Sequence, residues 1–324
     1  MNFTTKISIS KFTHPIDFSS KIMSLGSCFA ENMGAKLDYF KFQNTSNPFG
    51  IIFNPISIEK ILQRIVKKEF FTEKDIFFDN ELWQCYEVHS ELSNDNKEKL
   101  LHQLNALIQD SNTLISQATH LIITYGTSWV YRLKASNEVV ANCHKVSQNQ
   151  FEKEILSVEN IEKAIQNSMD LIQQINSDCN VIFTISPVRH IKDGFVENQR
   201  SKAHLIAAIH QYISDGYSEK SHGNLKCYYF PSYEILMDEL RDYRFYSQDM
   251  LHPNNVAIDY IWERFCESVI TSESYTIIDE IAAIQKGLAH RSFNPNSDSH
   301  QLFLAHLNQK IAQLQQKFPF ITFS

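Results

Sequence analysis

Glycine is scarce in this chain, at 8 of 324 residues, and proline is no more frequent at 8. Ordinary glycine usage is about 7%, so collagen-like and low-complexity organisation is excluded and each glycine position carries information. No window approaches 18 consecutive apolar residues, and Met1–Ser8 has no continuous apolar core of a signal peptide. Both absences point to a cytoplasmic protein that does not enter a membrane. The six cysteines stand singly at 28, 85, 143, 179, 227 and 266 without any C-x-x-C, which argues against a disulfide framework or a zinc knuckle. No H-E-x-x-H, G-x-G-x-x-G or P-loop pattern is present, so neither a metal nor a nucleotide cofactor is expected. A formal charge of -7 and a pI near 6.0 give no general attraction for nucleic acid or anionic lipid. No internal repeat is visible.

What is present is a large apolar fraction, 43%, and an alternation of short apolar runs with helix-period segments. Ile22-Met23-Ser24-Leu25 stops at Gly26-Ser27 and passes directly into Phe29, Met33, Leu37 and Phe40, one face of an amphipathic helix. Further strands are expected at 120–125, 181–185 and 226–230, with helices at 56–68, 97–117, 198–214, 232–241 and 253–270. Two hairpins are expected as insertions, an aromatic one at about 75–90 and another at about 129–142. Beyond 271 the pattern is helical, with Phe303, Leu307, Ile311 and Leu314 on one face. Strands alternating with helices predict an α/β fold with a mostly parallel, doubly wound sheet over residues 1–270 and a helical extension over 271–324.

In open parallel sheets ligands bind beyond the carboxyl ends of the strands. That rule gathers Ser27, Gly126–Trp129, Ser186–His190 and Asp249–His252 along one rim. A serine at a strand-to-helix turn sits where helix amides favour developing negative charge. It still requires an imidazole to take its proton and a third group to orient that imidazole. His252 and Asp249, three residues apart, fit those roles, so Ser27, Asp249 and His252 are the expected catalytic set. Oxyanion donors are expected from the Ser27 and Gly50 amides, with help from the turn at Gly126–Ser128. Arg189, His190, Trp129 and His144 are candidate substrate contacts, Arg189 being suited to a carboxylate or phosphate through its planar fork. Each residue also has a plainer role open to it: Ser27 as a helix cap, Asp249 and His252 as a device at a helix start, and the histidines and aromatics as packing residues. Cys28, beside Ser27, is a rival nucleophile that the helix pattern turns elsewhere.

Gly26-Ser27-Cys28-Phe29-Ala30 spells the motif of the GSCFA family, bacterial proteins related to SGNH (GDSL-like) hydrolases. Asn47-Pro48-Phe49-Gly50, Gly126-Thr127-Ser128-Trp129, Ala141-Asn142-Cys143-His144-Lys145, Ser186-Pro187-Val188-Arg189-His190 and Asp249–Asn254 also resemble that family. The resemblance implies an SGNH-like α/β/α sandwich, with Ser27 as nucleophile and Asp249 and His252 as its D-x-x-H pair. Serine replaces the usual third-motif asparagine in Gly126-Thr127-Ser128-Trp129, so the third oxyanion donor is either Ser128 or Asn142. What it implies about activity is a serine esterase that removes an acyl group, such as acetyl, from a carbohydrate-like or small-molecule ester. Acyl transfer through the same acyl-serine, or a non-catalytic glycan- or partner-binding module on that scaffold, is left open.

Overall fold

The computed structural model describes residues 4–213 and 219–323. In chain order its elements are β1 (Lys21–Gly26), α1 (Cys28–Tyr39), β2 (Gln43–Ser46), α2 (Pro55–Lys67), β3 (Phe77–Asp79), β4 (Leu82–Gln84) and α3 (Lys97–Gln117). Then come β5 (His120–Tyr125), β6 (Trp129–Leu133), β7 (Glu138–Val140), β8 (Phe151–Ile155), α4 (Val158–Ile175), β9 (Asn180–Ile185) and α5 (Phe195–Ile213). The remainder is β10 (Glu219–His222), β11 (Leu225–Phe230), α6 (Ser232–Glu234), which runs on into a π-helix at Ile235–Leu240, α7 (Asn255–Val269), α8 (Tyr275–Ala289) and α9 (Asp298–Lys317).

The main sheet has the order β10-β11-β9-β5-β1-β2, and only the β10–β11 pair is antiparallel. Continuous apolar runs make β5 and β9 buried along their whole length, as central parallel strands with two covered faces require. Alternate side chains sort to the two faces. Met23, Leu25, Leu121, Ile123, Val181 and Phe183 pack with α2, α3, α4 and α5 in one core, whereas Ile22, Ile122, Ile182 and Tyr228 pack with α1, α7, α8 and α9 in the other. The fold is therefore a mixed α/β sandwich of three layers. After β1 the chain moves outward to β2, then returns to the other side of β1 for β5, β9 and β11, which puts the topological switch point between β1 and β5.

Both expected hairpins form, as β3–β4 and β6–β7. The second gains an unforeseen outer strand, β8, paired antiparallel to β6. Phe77 stacks on Tyr86 with ring centres 4.0 Å apart, and the Ala141 amide donates to the Tyr86 carbonyl at 2.8 Å, so the two insertions join into one side layer. Arg64 of α2 anchors that layer, pairing with Glu87 and with Asp75 at 2.6 Å while its guanidinium carbon lies 4.2 Å from the Phe71 ring centre.

The C-terminal helices complete a core face. Ile281 and Ile284 of α8 and Leu307 and Leu314 of α9 are buried in the same cluster as Phe29, Leu37, Ile261 and Phe265. Gln285 also donates to the Tyr39 carbonyl at 3.1 Å, and Phe318 lies 5.4 Å from Phe18, ring centre to ring centre. Truncation after Thr271 would open this apolar surface to water. Burying one such side chain contributes about 1.5 to 3 kcal/mol, so the truncated chain should lose most of its stability, read as a collapsed urea midpoint or insolubility. A truncated chain with an unchanged midpoint would mean that the helices cover α1 and α7 without supporting them.

Candidate functional site

The strand-to-helix turn at Ser27 is set by a close approach. Gly26 has φ +149°, and a Cβ there would stand 2.3 Å from the Thr124 carbonyl oxygen of β5, so only glycine fits. The Ser27 amide donates to that same carbonyl at 3.1 Å. Ser27 itself is the N-cap of α1, its Oγ accepting from the Phe29 amide at 3.2 Å, and it is 1% exposed. Residues 47–53 run across the ends of β1 and β5. Asn47 Oδ1 accepts from the Gly26 amide at 2.8 Å, the Ile52 amide donates to the Gly26 carbonyl at 3.1 Å, and the Gly126 amide donates to the Phe53 carbonyl at 2.8 Å.

Asp249 and His252 form a hydrogen-bonded pair. His252 Nδ1 lies 2.6 Å from Asp249 Oδ2, while the other carboxylate oxygen accepts from the Leu251 and His252 amides at 2.9 and 3.1 Å. Those amide donors, first Leu251 and then His252, with the imidazole after them, hold the Asp249 carboxyl down at about 2. A carboxylate on Nδ1 selects the tautomer that leaves Nε2 as the acceptor. Both side chains are 45% exposed, so His252 is not packed into the core. Nor do they start a helix: α7 is capped by Asn254, and Pro253 precedes the cap. The loop is held in place by the Ser247 amide on the His252 carbonyl at 2.7 Å and the Arg189 amide on the Leu251 carbonyl at 3.1 Å.

Two further side chains knit this rim together. Lys202 of α5, 1% exposed, donates to the Gly126 and Ser186 carbonyls at 2.6 Å each, tying the end of β5 to the end of β9. Burial pushes its ammonium pKa down to about 7, with Cys28 and Glu234 opposing the fall. His190 is held neutral, its pKa lowered to about 3 by burial first and then by the charges of Lys202 and His252. Its Nε2 is buried without a hydrogen-bond partner and lies 3.2 Å from where a Gly126 Cβ would stand. Ser27 Oγ is not hydrogen-bonded to His252: its one bond is to its own helix.

Other expected residues have more ordinary places. The amides of Ser27 and Gly50 are already engaged, the latter with the Asn47 carbonyl at 2.8 Å, so neither is a free oxyanion donor here. Ser128 is fully buried and donates to the Ser201 carbonyl at 3.2 Å, which removes it from the rim. Asn142 Oδ1 accepts from the His144 amide at 2.8 Å, and its Nδ2 donates to no described residue. His144 is a packing residue and not a substrate contact: 5% exposed, it pairs with the Cys85 carbonyl at 2.7 Å beneath the hairpins. Trp129 is partly buried beside an apolar cleft with Phe53, Tyr131 and His190, and the Lys153 ammonium lies 5.3 Å from its ring centre. Burial, with Glu31 second, raises the Cys28 pKa, the reverse of what a thiolate nucleophile needs. Arg189 is stacked over Tyr246, 4.0 Å from its ring centre.

Sequence reasoning passed over Lys202 and Asn47. Lys202 has no signal, because a lysine in an amphipathic helix reads as solvated. Asn47 has one, in Asn-Pro-Phe-Gly, where the carboxamide as well as the glycine shapes the turn. Among the described residues no group of three or more His, Cys, Asp or Glu side chains is arranged to hold a metal ion, and no helix is long and apolar enough to cross a membrane.

Two family models match the chain: the GSCFA family over residues 21–265, and the C-terminal domain of GSCFA domain proteins over residues 281–324. Neither the curated proteins nor the solved structures gave a match.

The depressed Lys202 pKa makes a signed prediction. Between about 7 and its unfolded value of 10.5 the unfolded chain holds the proton that the folded chain has released, so stability rises with pH across that window. Lys202→Met removes this contribution and leaves the Gly126 and Ser186 carbonyls without their donor. Urea midpoints at pH 6 to 10 should show the parent gaining on the variant as pH rises. Parallel pH profiles would place the Lys202 titration outside that window.

Proposed function

The chain belongs to the GSCFA family, and from the rim built by Ser27, Asp249 and His252 we propose a serine esterase of SGNH-like design. It works in the cytoplasm on a small-molecule or carbohydrate ester, most simply an acetyl ester. The observation that carries this reading is the exposed Asp249–His252 pair, hydrogen-bonded at 2.6 Å and stitched through Leu251 to the loop that follows β9. A carboxylate on Nδ1 and an imidazole that is 45% exposed have the form of the base half of a triad.

The proposed mechanism uses these residues as follows. Ser27 Oγ leaves the Phe29 amide, a cap bond worth about 1 kcal/mol, and turns toward Nε2 of His252. The imidazole takes the hydroxyl proton as oxygen attacks the ester carbonyl, and Asp249 supports the imidazolium. The Phe29 amide so released, at the positive end of α1, and the Asn142 Nδ2 supply donors for the oxyanion. His252 then protonates the departing alcohol, and water repeats the sequence on the acyl-serine. Interception of that acyl-serine by an acceptor hydroxyl would make the same site a transferase, which free acid as the sole product would rule against.

A non-catalytic binding module is a second reading, favoured by the engagement of Ser27 Oγ in its helix cap. Intact-protein mass spectrometry after a fluorophosphonate probe separates the two. The parent should gain one adduct, mapped to Ser27 and absent from Ser27→Ala and His252→Ala. On an ester that the parent cleaves, Ser27→Ala and His252→Ala should each lose about 1,000-fold or more in kcat, and Asp249→Asn about 100- to 10,000-fold. Full turnover in Ser27→Ala would sink the acyl-serine mechanism.

A further inference from the structure

Arg189 is charged, partly buried and has no carboxylate partner among the described residues. Its guanidinium carbon lies 4.0 Å from the Tyr246 ring centre and 5.1 Å from that of Tyr243, while Nη1 is buried with no hydrogen-bond partner. Ring stacking occupies the faces of a guanidinium and leaves its edge, the part that grips a carboxylate or phosphate through two parallel N–H bonds. A buried donor left without an acceptor is costly, more so on a charged group, and an anion would supply the acceptor that Nη1 lacks.

The side chain lines a cleft of about 410 Å³ with Gln199, Tyr233, Arg241, Tyr243 and Tyr246. The π-helix at Ile235–Leu240 forms another wall, and its widened turn is a geometry often found at functional sites. Of the two acidic residues that reach the cleft, Asp242 is committed to Arg244, through the amide at 2.8 Å and the guanidinium at 3.2 Å. That leaves Arg189 and Arg241 against Asp238, a surplus of positive charge. Two wall residues of the cleft are bonded to the Asp249–His252 loop. The Arg189 amide donates to the Leu251 carbonyl at 3.1 Å, Tyr246 bridges to Pro253, and the next residue, His190, feels the charge of His252.

We propose that this cleft binds an anionic group, a carboxylate or a phosphate, carried by the molecule whose ester is attacked at Ser27, with Arg189 as the fork that holds it. That the anion belongs to a substrate rests on the esterase reading; that the cleft binds an anion does not. The ester would then be that of an acidic metabolite or sugar acid, or of a phosphorylated sugar, with the scissile bond reaching back toward His252.

The test is calorimetric titration of the full chain with succinate and with methyl phosphate at constant ionic strength. Saturable binding of at least one, weakened about tenfold or more in Arg189→Gln, is the expected result. Succinate alone would assign a carboxylate, methyl phosphate alone a phosphate. Equal affinity in parent and variant, or no saturable binding to the parent up to about 50 mM, overturns the proposal. If Arg189→Gln loses its melting transition, Tyr243→Ala, which removes an exposed ring from the rim, should weaken the same titration several-fold, and an unchanged affinity there counts against the site. Ser27→Ala should bind the anion as the parent does. A failed fluorophosphonate reaction beside intact anion binding would remove the esterase and keep the cleft, and the opposite pair of results would do the reverse.

Discussion

The contact between Gly26 and the Thr124 carbonyl is the constraint on which the site depends. It brings β1 and β5 together at the switch point of the sheet and makes Thr124 the acceptor for the Ser27 amide. With that approach fixed, α1 must begin at Cys28 and Ser27 must cap it. The Asn47 carboxamide closes the other side by accepting from the Gly26 amide, and the 47–53 loop is then drawn across both strand ends. The position of the serine follows from backbone geometry, because nearly every bond that fixes it is to main chain.

The electrostatics of the rim come from a different source, the burial of Lys202. The Lys202 side chain bridging the Gly126 and Ser186 carbonyls holds two strand ends, and its charge adds to the burial that keeps His190 neutral. The charge needed to join these loops is therefore kept beneath the surface. His190 stays a neutral imidazole beside the one imidazole, His252, that has a carboxylate to support a positive charge. The two histidines on this rim therefore differ in surroundings, one buried without a hydrogen-bond partner at Nε2 and the other half exposed beside a carboxylate.

Much of the fold is legible in the sequence because its strands are buried on both faces. The run at 120–125 matches β5 residue for residue, and the run at 181–185 falls one residue short of β9 at its start. Strands whose formation depends on neighbours are not legible. β2, Gln43-Asn44-Thr45-Ser46, has no apolar residue and exists because β1 offers it a free edge, and β8 exists because β6 does. Helix α4 carries Ile161, Ile165, Met169 and Ile172 at the same spacing as the apolar face of α1, so its absence from the sequence reading reflects no weakness of signal. At the site, the Asp249–His252 pair was legible from spacing, since a D-x-x-H turn places the two side chains side by side. The engaged donors of Ser27 and Ser128 were not, because each is satisfied by a residue distant in sequence, Thr124 and Ser201.

The state of Ser27 reconciles its two sequence readings. On the esterase reading, cap and nucleophile would be roles for one hydroxyl at two moments, and the energies would allow both. An N-cap bond of about 1 kcal/mol is small beside the several kcal/mol that a preorganised oxyanion environment supplies in a transition state. Breaking the cap also frees the Phe29 amide, a donor at the positive end of α1, as negative charge develops nearby. On that reading, a hydroxyl held in its helix at rest would be shielded from adventitious acylation and released by a ligand that draws it toward His252. An anion gripped at Arg189, one residue from His190 and bonded through its backbone to the Asp249–His252 loop, would hold an ester in place long enough for that rotation to occur.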